Sequence, residues 1–366
     1  MRFRVQDMPG RRCGGLLLLG LLAGLPIALA DTPGVAASAP GVARAGPGIE
    51  GLDIEWVTVG DPGNPPDAAT GRGAVAGVYQ ISKHEITVAQ YAAFLSAVAA
   101  RDPYGLWHAG QKIERGGKDG AFTYTASNGH EREPVMMVSF NDAMRFANWM
   151  HHLHALHGGP QATPSVADDV APLTETGAYD LPAGRDLAAR SPGARVWIPN
   201  EDEWYKAAYY QPHAAGGPPG HYWRFPTKSD AIPALGKPGD TGTNLASFLA
   251  DATLLQNLTT KRGYNDVMPV GSFPGSTSYF GTVDQAGNAW EWVETIIFDT
   301  RRIMRGGSMC ATYEWFLPQV RSNARPGRRY RDTGFRVARA VPAEIAAPAP
   351  PPAPATTAAP PPKPAS

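Results

Sequence analysis

Asp284 and Glu291 flank a candidate turn in the segment 284–294, whose sequence is DQAGNAWEWVE. Gly287 and Asn288 favour a turn, because both residue types tolerate a positive φ. If the backbone folds back there, the two carboxylates converge among exposed main-chain carbonyls. That donor set suits a hard cation such as calcium. The alternative interpretation is a tryptophan-rich core strand whose acidic residues are solvated.

Two tryptophans indicate the conformation of this segment. Residues two positions apart lie on the same face of an extended strand, whereas a helix would separate them. We therefore expect a β-strand in which Trp290 and Trp292 share one face, while Ala289, Glu291 and Val293 share the other.

Histidines and cysteines offer few further metal ligands. His151, His152, His154 and His157 are spaced so that pairs share a helical face, which is compatible with iron or zinc, but they also suit a solvated helix end. The chain has 2 cysteines. One falls in a predicted signal peptide, so the mature protein keeps only Cys310 and forms no internal disulfide.

The N-terminus has the features of an export signal. A basic start precedes a leucine-rich run at residues 14–25, and Ala28-Leu29-Ala30 fits a small-x-small cleavage site. We therefore predict a signal peptide over residues 1–30 and an exported protein, either periplasmic or secreted. The apolar run is short for a membrane span, so no span is expected after cleavage.

Composition limits the partners and the extent of the fold. The chain has 33 basic and 33 acidic residues, which predicts binding neither to nucleic acid nor to an anionic membrane surface. Its 41 glycines and 36 prolines predict long loops and short elements. Residues 31–48 are typical of a flexible linker, and the Pro/Ala-rich residues 341–366 of a disordered tail. The folded domain is thus predicted over 49–340.

Regular elements within that domain are short. Three capping motifs predict helix starts, namely Thr87 with Gln90, Ser139 with Asp142, and Asn200 with Glu203. Strands are predicted at 54–59, 78–81, 195–198, 304–306 and 334–337. The stretch 152–194 has little periodicity and is interpreted as an insertion. Together these elements predict an α+β fold with few helices, short strands and much irregular loop.

Arg305 and Arg336 fall in strands that we expect to be largely buried. A buried guanidinium is costly unless carboxylates or carbonyls accept its hydrogen bonds. We therefore expect Arg336 to bond to the protein interior rather than to a ligand.

Seven segments run through the domain in order. They are KHEIT (83–87), EPV with VSFNDA (133–143), WIPNEDEW (197–204), PVGSF (269–273), GNAWEW (287–292), RGGS (305–308) and GFR (334–336). In this order they resemble the sulfatase-modifying-factor, or formylglycine-generating-enzyme (FGE), family over nearly all of residues 49–340. The resemblance implies the family's variant of the C-type lectin fold.

The resemblance also implies a structural calcium ion in the segment described first. Its implied ligands are the side chains of Asp284 and Glu291 and the main-chain carbonyls of Gly287 and Ala289. A second family calcium site is matched by Asn244 and the Leu245 carbonyl. Arg262, however, stands where that site needs an acid, so we do not expect the second ion.

Copper chemistry is not expected from this sequence. FGE enzymes bind copper(I) through two cysteines, five residues apart, just after the RGGS segment, and soft sulfur ligands select that ion. Counted from Ser308, Cys310 falls one residue before the first cysteine position, and Phe316 occupies the second. One thiol cannot form a two-thiolate site within a chain. Ser308 and Cys310 remain the catalytic candidates, although Cys310 is also typical of a half-buried structural cysteine.

Two classes of function therefore stay open. The first is an exported oxidoreductase or protein-modifying enzyme with a non-copper site, for which iron is possible. The second is a non-catalytic, lectin-like module that binds a protein, peptide or glycan. A deep acidic or histidine-lined cleft beside Ser308 favours the enzyme, and a shallow aromatic groove there favours binding. The aromatic candidates are Trp107, Tyr222, Trp223 and Trp315, each of which could instead be packed in the fold.

Overall fold

The computed structural model describes residues 52–156, 171–249 and 267–341, so the predicted signal peptide, the linker and all but the first residue of the predicted tail lie outside the described residues. The described helices are α1 (Val88–Val98), α2 (Phe140–Leu156), α3 (Ala171–Glu175) and α4 (Glu201–Tyr209). The described strands are β1 (Trp56–Val59), β2 (Tyr79–Ser82), β3 (Ile113–Gly116), β4 (Thr123–Ala126), β5 (Val196–Trp197), β6 (Ala234–Leu235), β7 (Leu245–Ala246), β8 (Trp290–Ile297), β9 (Arg301–Arg305), β10 (Ser322–Ala324), β11 (Thr333–Phe335) and β12 (Ala338–Ala340). The predicted α+β class, with short strands and few helices, is confirmed.

Two four-stranded sheets organise the domain. The first has the strand order β1-β2-β12-β5, and the second has the order β10-β9-β8-β11. In the second sheet β11 runs parallel to β8, which places Gly334 opposite Glu291. Strand β9 runs antiparallel on the other side of β8, with Arg305 opposite Glu291. Glu291 therefore lies in a central strand, between two segments that carry buried arginines.

All three predicted helix starts are confirmed. At α1 the Thr87 hydroxyl accepts from the Gln90 amide while the Gln90 side chain accepts from the Thr87 amide. Asn200 and Glu203 form the same reciprocal cap at α4. Ser139 and Asp142 do so at α2. These contacts are local, so the sequence alone determines them.

The strand predictions were less accurate. The strand predicted at 304–306 begins three residues earlier, at Arg301. The strand predicted at 334–337 is two strands, β11 and β12, because the chain leaves one sheet at Arg336 and enters the other. The hairpin β3–β4 was missed, and α3 lies in the stretch interpreted as an insertion of little periodicity.

The main core is aromatic and lies between α1, α2 and β11. Tyr91, Phe94, Phe146 and Phe335 are fully buried and pack ring against ring at centroid distances of 5.3 to 6.4 Å. Trp292 joins this core from β8. Across the described ranges, no helix is long and apolar enough to cross a membrane.

Candidate calcium centre and the Ser308 surface

The predicted turn before β8 is present, and its strand has the expected alternation. Asp284, Gly287 and Asn288 have φ values of 64°, 85° and 58°. Gly287 is required, because a Cβ at this position would lie 2.1 Å from the main-chain oxygen of Ser247. Trp290 and Trp292 belong to the main core, whereas Val293 packs in a second cluster with Trp204.

Glu291 is an ion-pair partner as well as a predicted calcium ligand. It is fully buried, and its Oε2 accepts hydrogen bonds from Arg336 Nε at 2.5 Å and Trp204 Nε1 at 2.7 Å. Its Oε1 accepts from Arg336 Nη2 at 2.8 Å. The remaining Arg336 N–H groups donate to the carbonyls of Ser82, Lys83 and Val283. The expectation that Arg336 bonds to the protein interior is confirmed.

Two more carboxyls lie beside this pair. Asp284 Oδ2 accepts from the Gly271 amide at 2.7 Å, and burial raises the pKa of Asp284 to about 6. Glu85 is 1% exposed, and burial, followed by the charges of Asp284 and Glu291, raises its pKa well above the usual range. The sequence analysis did not select Glu85, because no local pattern marks this carboxyl as buried.

The charges and the unused lone pairs of this centre fit a divalent cation. Fully ionised, the three carboxylates carry two more charges than Arg336 balances, and burial lowers the pKa of His84 to about 4, so His84 is neutral. Oε1 of Glu291 accepts only one of the hydrogen bonds described above and keeps a lone pair. In the described part of the chain, no three Asp, Glu, His or Cys side chains converge to bind a metal alone. Main-chain carbonyls such as those of Gly287 and Ala289 are therefore needed to complete the ligand set.

The residues matched to a second calcium site are already engaged. Thr227 donates its hydroxyl to Asn244 Oδ1 at 2.5 Å. The Asn244 amide nitrogen donates to the carbonyls of Ala231 and Ile232. Arg262 lies outside the described residues.

Ser308 and Cys310 meet an acid that sequence analysis did not predict. Ser308 is fully buried and donates its hydroxyl to Asp332 Oδ2 at 2.9 Å. Its oxygen accepts from the Cys310 amide at 3.2 Å. Burial raises the pKa of Asp332. Cys310 is half-buried, as expected of a structural cysteine.

The two family copper positions hold packed apolar side chains. Ala311 is 7% exposed and Phe316 is fully buried. The Phe316 ring packs edge-on against Phe248 at 5.5 Å. A Cβ on Gly307 would lie 2.6 Å from that ring. Phe316 is therefore a core residue of the segment that follows RGGS.

Of the four aromatic candidates, Trp315 lies beside the Ser308 segment. It is 39% exposed and packs edge-on against Trp290 at 5.4 Å. Trp107 lies elsewhere, donating to the Ile113 carbonyl. Tyr222 packs against Tyr205 and Tyr210, and Trp223 donates to Gln211.

The described histidines of α2 contact the protein. His151 Nδ1 accepts from the Arg195 amide at 3.1 Å. A ring nitrogen of His152 lies 2.9 Å from the Thr176 carbonyl oxygen. The side chain of His154 and all of His157 lie outside the described residues.

Comparison with known proteins agrees with the resemblance seen in the sequence. Residues 62–341 match the sulfatase-modifying factor enzyme 1-like domain, and the chain belongs to this FGE-sulfatase family. No curated protein matches the chain.

Three solved structures are similar to the chain. CarF is 19% identical, covering 80% of this chain and 100% of CarF, with a TM-score of 0.49. Variable protein 1 of Treponema denticola is 18% identical, covering 78% of this chain and 95% of that protein, with a TM-score of 0.43. PvdO from Pseudomonas aeruginosa is 20% identical, covering 79% of this chain and 92% of PvdO, with a TM-score of 0.40.

Proposed function

We propose that this chain is an exported, calcium-stabilised FGE-like protein that binds a protein, peptide or glycan beside Ser308 and does not form formylglycine with copper. The buried position of Phe316 carries the proposal, because it occupies the place of the second copper thiolate. Cys310 alone leaves copper(I) without the second thiolate that the family's copper site uses.

Formylglycine formation is the direct test of the copper part of this proposal. We expect the mature protein, incubated with copper(I), a thiol and a sulfatase-type cysteine peptide, to leave the peptide mass unchanged. A genuine formylglycine-generating enzyme serves as the positive control. A mass loss equal to the difference between thiol and aldehyde would overturn the proposal.

The exposed part of Trp315 supports a binding role. Aromatic side chains that are rigidly packed at one edge and exposed at the other are common anchors in interfaces. Trp315 has this arrangement against Trp290, and the half-buried Met309 lies in the same segment. The proposed binding surface therefore comprises Met309, Cys310 and Trp315.

Trp315→Ala is expected to weaken binding at least tenfold and to lower the melting temperature little. Binding is measured as intensity on matched peptide and glycan arrays, followed by titration of the strongest hits. Trp107→Ala is the control, since Trp107 is also partly exposed but lies away from Ser308. Hits that bind wild type and Trp315→Ala equally would contradict the proposed surface.

The calcium part of the proposal rests on the three carboxyls that lie around the single arginine Arg336, since their full ionisation needs a further cation. Asp284, Glu291 and the carbonyls of Gly287 and Ala289 would bind the ion, which would link the turn to β8 and offset the repulsion between the acids. The predicted export would place the protein where calcium is abundant.

A second candidate is a copper-independent modifying enzyme that uses Ser308 and Cys310. The contact between Ser308 and the half-buried Asp332 favours it, because a carboxyl of raised pKa beside a hydroxyl is the arrangement that acid–base chemistry needs. Metal analysis of the purified mature protein separates the candidates. Stoichiometric iron supports the enzyme and its absence supports the binding protein, whereas structural calcium is compatible with both.

A further inference from the structure

A cleft of about 420 Å³ lies beside β1 and shares no lining residue with the surface that comprises Met309, Cys310 and Trp315. Small-molecule sites typically have volumes of about 300–1,000 Å³, so this cleft has room for a small ligand. A second cleft of about 160 Å³ adjoins the first, because Glu55 and His84 line both of them. The His84 ring therefore stands between two open spaces.

The His84 imidazole has hydrogen-bonding groups that the described residues leave unused. Its side chain is 14% exposed, and its Nδ1 lies 4.0 Å from Glu55 Oε1, which is too far for a hydrogen bond. No described residue bonds to either ring nitrogen. Burial lowers the pKa of His84 to about 4, so the neutral ring has one donor and one acceptor nitrogen. Such groups are costly inside a protein unless a bound molecule satisfies them.

Gly271 keeps the ring accessible from the larger cleft. This glycine lines the cleft, and a Cβ at its position would lie 2.8 Å from His84 Nε2. A larger residue would therefore cover the nitrogen that a ligand has to reach.

The other polar groups of the cleft are balanced in charge. Lys83 Nζ donates to Glu55 Oε2 at 2.8 Å, so the ammonium and the carboxylate neutralise each other. A strongly charged ligand would have to compete with this ion pair. Thr277 adds a hydroxyl, which can both donate and accept. The cleft thus presents mixed donors and acceptors without an excess of either charge, which favours a neutral, hydroxyl-rich ligand.

Apolar side chains form the rest of the wall, and they include Trp56, Val57 and Val283. The Arg339 guanidinium lies 4.3 Å from the centre of the Trp56 ring, and its Nε donates to Gln80 at 2.8 Å. These contacts position the indole. A sugar ring matches such a cleft, because its C–H faces pack on apolar walls while its hydroxyls donate and accept hydrogen bonds.

We propose that this cleft binds a neutral saccharide, whose hydroxyls bond to the two nitrogens of His84 and to the Glu55–Lys83 pair while its ring packs against Trp56. The site is separate from the surface proposed beside Ser308, and the inference does not depend on that surface. An amino acid or other zwitterion fits less well, because its charges would have to break the ion pair.

NMR of the imidazole groups gives a direct readout of binding. The sugar probes are the methyl glycosides of glucose, galactose, mannose and N-acetylglucosamine, with maltose and cellobiose as disaccharides. Glycine and diglycine are the zwitterionic probes. We expect at least one sugar, and neither zwitterion, to shift the His84 ring resonances in a saturable titration. The resonances missing from His84→Phe assign that ring.

Calorimetry then measures the Kd of the sugar that binds. His84→Phe should raise this Kd about tenfold, because it keeps an aromatic ring and removes its hydrogen bonds. His213→Phe is the matched control, since His213 is exposed, contacts the Gly217 carbonyl and does not line the cleft. Its Kd should equal that of wild type. Thr277→Tyr narrows the cleft and should raise the Kd by a similar factor, which gives a second test if His84→Phe does not fold.

The outcomes separate this site from the surface beside Ser308. A sugar whose Kd rises in Trp315→Ala but not in His84→Phe belongs to that surface and would overturn the cleft site alone. The loss of all binding to Trp315 would overturn only the proposed surface, provided that the His84 resonances still respond to a sugar. His84 resonances that no sugar shifts would overturn the saccharide site, as would a response to glycine or diglycine in place of the sugars.

Discussion

Arg336→Ala is expected to destabilise the protein by about 3–5 kcal/mol, because it leaves the buried carboxylate of Glu291 without its charge partner. Both residues are fully buried, and Arg336 also bonds to carbonyls of β2 and of the segment before β8. The loss therefore affects both sheets. Chemical denaturation of wild type and variant measures the free energy of unfolding.

Two further variants show whether the ion pair causes that effect. Arg328→Ala removes an exposed arginine of a neighbouring turn and should change stability by less than about 0.5 kcal/mol. Arg336→Met combined with Glu291→Gln should be more stable than Arg336→Met alone, since removing both charges leaves none buried and unpaired. Additive effects of the two substitutions would contradict the pairing.

The buried arginine illustrates what the sequence could predict and what it could not. A guanidinium in a buried strand must bond to the protein, so the sequence predicted that Arg336 points inward. Its partner Glu291 lies 45 residues away, and the pairing depends on β11 lying parallel to β8. Periodicity within either strand carries no information about that register.

The same limit applies to the candidate sites. Helix caps involve residues three positions apart and were predicted correctly, because the chain satisfies them locally. Asp332 meets Ser308 through a contact spanning 24 residues, and Glu85 meets Asn288 across 203. Asp332 and Glu85 are acidic residues, and only the tertiary fold reveals how far each is removed from solvent. The position of Phe316 within the segment after RGGS, by contrast, is local, so the sequence alone shows that no second cysteine stands there.

Calcium at 100 times its Kd is expected to stabilise the wild-type protein by about 2.7 kcal/mol relative to excess chelator, because the ion binds only the folded state. For a domain of this size the melting temperature should rise by about 5–10 °C. Glu291→Gln is not a clean probe of this effect, since it also leaves Arg336 unpaired. Asp284→Asn is cleaner, because the new amide oxygen can still accept from Gly271, and it should remove most of the calcium response.

The calcium response should also depend on pH in a direction set by Asp284. Its ordinary pKa is 3.8, and burial raises the pKa in the folded, ion-free protein to about 6. Between these values the unfolded chain has lost the proton and the folded one retains it. The free energy of unfolding of the ion-free protein therefore falls by an amount on the order of 3 kcal/mol as the pH rises from about 4 to 6.

Calcium must displace the proton of Asp284 to bind. The rise in melting temperature that calcium causes should therefore be small at pH 5 and complete by pH 7.5. Differential scanning calorimetry at both pH values, with calcium or chelator, measures the shift. Equal shifts at the two pH values would exclude Asp284 as a ligand, and no shift at either would exclude the calcium site.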